Sequence, residues 1–152
     1  MMQLSLLEFA DRLLDIFLVV MREISRSQAD ELYKGKITLP QLLTLDFLIQ
    51  KDESKMTDIA HFMRVTTAAI TGIVDRLVRD GYVTRVYEPQ DRRIIKVKPT
   101  SRGAKLVKKI KAQRRKAIIN VFGKITPAER EDYLRILLRI QDILTTGKVV
   151  NP

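Results

Sequence analysis

Along residues 3–31 apolar side chains recur at three- and four-residue steps: Leu6, Leu7, Ala10, Leu13, Leu14, Phe17, Leu18, Met21 and Ile24. Glu8, Asp11, Arg12, Asp15, Arg22 and Glu23 fill much of the other side. That period predicts one long amphipathic helix, with Gly35 just beyond as its stop. Thr38 is placed to cap a second helix, with Pro40 in its first turn, where a missing N–H costs little. Leu42, Leu45, Leu48 and Ile49 face inward along it, and it ends near Lys51. A short third helix opens at Thr57 and runs to about Met63. Thr66 caps a fourth over 67–80, which Gly81 ends.

The period then changes. Tyr82-Val83-Thr84-Arg85-Val86-Tyr87 alternates in the manner of a strand. Glu88 to Arg93 is polar, contains Pro89 and reads as a turn. Ile94 to Lys98 reads as the returning strand, ended by Pro99, which has no N–H for the ladder. A fifth helix over 100–123 places Leu106, Ile110, Ala117, Val121 and Phe122 on one side. Thr126-Pro127-Ala128-Glu129 starts a sixth, with an N-cap, proline at the first helical position and Glu three residues after the cap. It carries Leu134, Ile136, Leu137, Leu138, Ile140, Ile143 and Leu144. The expected order is four helices, a hairpin and two helices: mainly α, with a small β-hairpin wing.

A chain of 152 residues, 45% apolar and 30% charged, is long enough to bury a substantial core. Its longest apolar run, Ile16 to Met21, is far short of the ~20 residues that span a bilayer. The N-terminus lacks the order of a signal peptide, so a cytoplasmic protein is expected. There is no cysteine and one histidine, His61. Disulfides, thiolate metal sites and Cys–His nucleophiles are excluded; no cofactor and no enzymatic activity are expected. His61 itself reads as a surface residue.

Charge adds a direction. Residues 1–53 hold 6 Lys/Arg against 9 Asp/Glu, a net of −3; residues 54–103 hold 10 against 5, +5; residues 104–152 hold 12 against 4, +8. A basic middle and C-terminal half calls for a polyanionic partner. Nucleic acid leads, and an anionic membrane surface is the alternative that charge alone leaves open.

A short helix, a tight turn, a second helix and a basic hairpin make a winged helix-turn-helix. An α-helix fits the major groove, and an arginine-tipped hairpin reaches the neighbouring minor groove. In this reading 57–63 crosses the DNA backbone and 66–80 is the recognition helix. Ile70, Ile73, Val74 and Leu77 form its apolar stripe, placed to pack around Ile59 and Leu45. Thr67, Ala68, Thr71, Gly72, Asp75, Arg76 and Arg79 occupy the rest. Alone, such a helix reads more plainly as an amphipathic core helix; the basic hairpin directly after it decides for DNA.

The run from Thr71 to Val83, with the wing Asp91-Arg92-Arg93-Ile94-Ile95-Lys96-Val97 followed by Thr100 and Gly103, resembles the MarR (multiple-antibiotic-resistance regulator) family. The resemblance spans about 30–146. It implies a homodimer, with dimerisation helices in 1–37 and 101–152 flanking a DNA-binding lobe over 38–100. It also implies repression at a pseudo-palindromic operator and release by a small aromatic or phenolic effector. Carried over by position, Arg93 enters the minor groove, Asp91 orients the wing through ion pairing, and Arg92 touches phosphate or is solvated. A charged flexible turn, and an Asx turn at Asp91, are the plainer alternatives. Pro99 stands where the family usually has leucine.

None of Thr67, Ala68, Ala69, Thr71 and Gly72 is a bidentate partner for guanine or adenine, so modest direct readout is expected, with more reliance on minor-groove shape at the wing. Thr66 joins them at the start of the helix. Arg64, Arg76, Arg79 and Arg85 suit phosphate contacts. Lys105, Lys108, Lys109, Lys111, Arg114, Arg115 and Lys116 make the fifth helix basic, either as a solvated face paired with the acidic N-terminal helix or as an extension of the DNA footprint. Tyr33, Phe47, Phe62 and Met63 could line a cavity, although core packing is the simpler use. The rival class is a helical module for RNA or acidic protein without ligand response.

Overall fold

The computed structural model describes residues 4–26, 35–91 and 94–147. Helix α1 spans Leu6–Arg26. Its start is boxed by Ser5 and Glu8: the Ser5 N–H and hydroxyl donate to Glu8 at 2.9 and 2.7 Å, and Glu8 N donates back to Ser5 Oγ at 3.2 Å. The expected end of this helix, at 31, lies outside the described residues.

Helix α2 covers Leu39–Lys51 and starts where the sequence places it, on a capping box between Thr38 and Gln41. A two-residue strand, β1 (Ser54–Lys55), leads into α3 (Met56–Met63) and α4 (Thr67–Arg79). The hairpin is β2 (Val83–Tyr87) and β3 (Ile95–Pro99). All three strands form one antiparallel sheet in the order β1-β3-β2. The hairpin register pairs Val83 with Pro99 and Tyr87 with Ile95. Pro99 is thus the last rung of the ladder, where a missing donor costs least. The sequence expected a two-stranded hairpin. β1 is an addition, because the chain leaving α2 runs along the free edge of β3, setting Ser54 opposite Val97.

Helices α5 (Ser101–Phe122) and α6 (Pro127–Thr146) complete the chain. Two compact units, Met1–Arg114 and Arg115–Pro152, divide inside α5. The first is centred on Leu45 and Leu48 of α2, Ile59 of α3, Ile70, Val74 and Leu77 of α4, Val97 of β3 and Ile110 of α5, each with no exposed surface. The apolar stripe of α4 therefore packs around Ile59 and Leu45, as its spacing predicts. On α5, Val107 is buried where the sequence reading put Leu106, which is half-buried, and Val121 is exposed.

The second unit is held at its turn. Arg130 donates to the carbonyls of Phe122 and Ile125 at 2.9 and 3.0 Å. Thr126 and Glu129 form the expected capping box, with Thr126 N donating to Glu129 at 2.7 Å. The backbone N–H and then the hydroxyl of Thr126 hold the Glu129 carboxyl below the usual glutamate range. Both terminal helices leave their apolar residues uncovered: every described α1 side chain is exposed, and none in α6 is buried.

Candidate nucleic-acid interface

The turn between α3 and α4 is three residues, Arg64-Val65-Thr66. Arg64 sits in the left-handed region, φ 53°. Its N–H bonds to His61 O at 3.1 Å and the Val65 N–H to Ala60 O at 3.1 Å, the paired bonds of a Schellman motif. Glycine is the residue favoured there; a side chain with Cβ costs ~1 kcal/mol or more. Thr66 Oγ1 then accepts from Ala69 N at 3.2 Å, so α4 begins sharply. At the far end Gly81, φ 74°, closes a second Schellman motif, with Tyr82 N bonding to Leu77 O at 2.8 Å and Gly81 N to Val78 O at 3.0 Å.

With Ile70, Val74 and Leu77 buried, α4 turns Thr67, Ala68, Gly72, Asp75, Arg76 and Arg79 outward, and Thr71 is half-exposed. The Thr71 hydroxyl donates to Thr67 O at 2.7 Å. Gly72 is exposed in mid-helix, where glycine costs ~1 kcal/mol relative to alanine. Arg64 and Arg76 are exposed and, among the described residues, neither has an acidic partner. Arg79 lies 3.1 Å from its neighbour Asp80. A basic outer face with two uncompensated guanidiniums suits phosphate.

Arg85 stands differently from the other arginines. From β2 its Nη2 is ion-paired with Asp75 on α4, which ties the wing to that helix. Among the described residues its remaining donors have no acidic partner, but the guanidinium is anchored. A second tie holds the other side of the wing. Lys96 on β3 donates to Glu53 at 2.8 Å, ahead of β1, and reaches Glu88 at 2.7 Å, at the end of β2. The hydrogen bonds to Glu53 and then to Glu88 hold the Lys96 ammonium above the ordinary lysine range, so it stays charged and committed. Lys98 lies 3.3 Å from Asp52. The sequence reading missed these ties, because partners 43 and 46 residues apart leave no local signal.

At the tip, backbone bonds from Asp91 N to Glu88 O (3.2 Å) and Ile94 N to Asp91 O (2.9 Å) shape the turn on which Asp91 sits, exposed. Arg92 and Arg93 lie outside the described residues, as does Tyr33. Phe47 and Phe62 stack at 4.2 Å; Phe47 and Met63 pack on the core while Phe62 is half-exposed, so core packing accounts for most of this group. His61 is exposed. Lys111 of α5 pairs with Asp46 of α2 rather than with the N-terminal helix.

A helix-turn-helix whose second helix is bare on one face, followed by a wing tied to it by the Asp75–Arg85 ion pair, defines a winged-helix DNA-binding protein. The profile of the MarR family matches residues 37–95. The chain is 30% identical over 118 residues to the HTH-type transcriptional regulator FarR of Neisseria gonorrhoeae, covering 76% of this chain and 81% of that one. It is 25% identical over 130 residues to the HTH-type transcriptional repressor MdtR of Bacillus subtilis, covering 86% and 84%. A MepR mutant of S. aureus, solved bound to an oligodeoxyribonucleotide, shares the fold with a TM-score of 0.64 and 21% identity, over 86% of this chain and 96% of that one. The chain belongs to the MarR family of helix-turn-helix, DNA-binding transcriptional regulators, which are not enzymes. Among the described residues, no helix is long and apolar enough to cross a membrane.

Proposed function

We propose that this regulator is a cytoplasmic, homodimeric repressor that seats one winged helix in each half of a pseudo-palindromic operator and leaves it when a small aromatic or phenolic effector binds. The observation that carries the DNA reading is the outer face of α4, with Arg64 and Arg76 uncompensated at its edge and Asp75–Arg85 fixing the wing beside it. In this reading Thr66, Thr67, Ala68, Thr71 and Gly72 face base edges. Arg64, Arg76, Arg79 and the free donors of Arg85 take phosphates. Asp91, Arg92 and Arg93 serve the minor groove. The oligodeoxyribonucleotide complex of the MepR mutant supports this use of the fold, and the similarity to MdtR supports repression. Release by an effector is supported by the family resemblance.

Dimerisation is supported by the terminal helices. Apolar surface is worth about 25 cal/mol per Å² on burial, and contiguous exposed patches mark interaction sites. The apolar residues of α1 and α6 stay bare in the single chain. We assign 1–37 and 101–152 to the dimer and 38–100 to the DNA-binding lobe. Fluorescence anisotropy on a duplex covering the protein's own upstream region, against a scrambled duplex and across salt, tests the whole. A sequence preference with one dimer per site supports the proposal. Equal, weak binding to both duplexes, with tighter binding to RNA, sinks it.

A further inference from the structure

Gly72 is the single glycine of α4 and lies on its exposed face. Nothing in the fold asks for it. Its φ is not among the left-handed glycines, and a Cβ built on it meets, beyond its chain neighbours and the adjacent helix backbone, no atom of the described residues within 4 Å. Gly103 is the contrast: a Cβ there would lie 2.2 Å from the Tyr82 carbonyl oxygen. A helix interior disfavours glycine against alanine, so Gly72 weakens α4 for no internal return. Its neighbours on the same face, Ala68, Asp75 and Arg76, are all exposed.

Resting on the reading of α4 as the helix that enters the major groove, we propose that Gly72 is its point of closest approach to the operator, leaving room for a thymine 5-methyl group and so helping to determine specificity. The thymine methyl is the one bulky apolar group on the groove floor. The side chains beside Gly72 suit it, since Thr67 and Ala68 have no bidentate fork and the Thr71 hydroxyl hydrogen is already given to Thr67 O at 2.7 Å. A Cβ at Gly72 would fill the space of that methyl and lift the helix away from the base edges.

The test begins by selecting a duplex from random DNA with the full-length wild-type protein, then compares Gly72→Ala on it. The variant should melt a few degrees higher, by about 2–4 °C for a chain of this size. Its affinity for the selected duplex should fall by about tenfold or more, while binding to a non-specific duplex changes less than about twofold. Replacing thymines of the half-site one at a time with deoxyuridine should restore much of the lost affinity at one position in G72A and weaken the wild type there. Binding of G72A within about twofold of wild type on the selected duplex overturns the inference and leaves the DNA reading standing. A lower melting temperature overturns it too, since the fold would then need the glycine. A loss of affinity with no deoxyuridine rescue rejects the thymine methyl. If the wild type selects no sequence at all, the DNA reading fails and the inference falls with it.

Discussion

Gly103→Ala should be among the most damaging single-methyl additions in this chain. Gly103 lies in the first turn of α5, where Thr100 Oγ1 accepts from its N–H at 3.1 Å. The added Cβ would stand 2.2 Å from Tyr82 O and 3.1 Å from Leu45 Cδ1. Real Cβ contacts stay beyond 3.0 Å, so something must move by roughly an ångström. Leu45 has no exposed surface and little freedom to yield. The Tyr82 carbonyl is pinned by Thr100 N at 3.0 Å and Thr100 Oγ1 at 3.1 Å. Relieving the clash strains the core, at about 1–3 kcal/mol, and loosens two hydrogen bonds worth about 1 kcal/mol each. The helix-propensity gain of alanine offsets at most ~1 kcal/mol. The net expectation is a loss of about 2–4 kcal/mol, a large share of the ~5–15 kcal/mol that holds a domain together. Guanidinium unfolding followed by circular dichroism reads it, at one fixed protein concentration because the stability of the proposed dimer would depend on mass action. A G103A unfolding free energy, taken from midpoint and slope, within about 0.5 kcal/mol of wild type would refute the steric argument.

Three other perturbations follow from the same structure. Arg64→Gly should relax the left-handed turn and stabilise the fold by about 1 kcal/mol, while weakening DNA binding equally on all sequences and lowering the salt slope by about one for each subunit bound; a stable variant with an unchanged slope would remove Arg64 from the phosphate contacts. Leu134→Glu combined with Leu138→Glu, both on the exposed face of α6, should convert the proposed dimer to monomer by light scattering and abolish operator binding; a dimeric double variant would place the interface elsewhere. Glu129→Gln keeps the acceptor for Thr126 but cannot titrate. Because the folded carboxyl is held below its ordinary pKa of 4.5, its contribution is complete above that value and is lost as pH falls through the depressed one. The wild type should therefore melt above E129Q at neutral pH and lose that advantage as acid protonates the carboxyl, and a gap that persists once Glu129 is protonated would contradict the assignment.

How much of this was legible along the chain depends on how local each feature is. Thr38, Thr66 and Thr126 are read correctly as caps because a cap is a contact between residues three apart. The stripe Ile70, Val74, Leu77 is read correctly because one helix imposes its period. β1 escaped because two residues have no period, and their pairing with Lys96 and Val97 depends on where the end of α2 carries them. The ties Asp75–Arg85 and Glu53–Lys96–Glu88 escaped for the same reason: each side chain is ordinary at its own position, and only the packed sheet brings them together. Two residues show a third case, where the local signal is legible and points against the fold. Arg64 occupies a backbone conformation that favours glycine, and Gly72 is a glycine in a helix that favours alanine. A chain optimised for its own stability alone would reverse both choices. Sequences depart from local preference mainly where function takes precedence. These two lie eight positions apart, one in the turn of the motif and one on the exposed face of its second helix, while Asp52, at φ 65° just past the end of α2, is a third departure, a non-glycine residue at positive φ. Two of the three departures thus fall on the surface proposed to meet DNA, and Arg64→Gly and Gly72→Ala ask there whether stability was given up for binding.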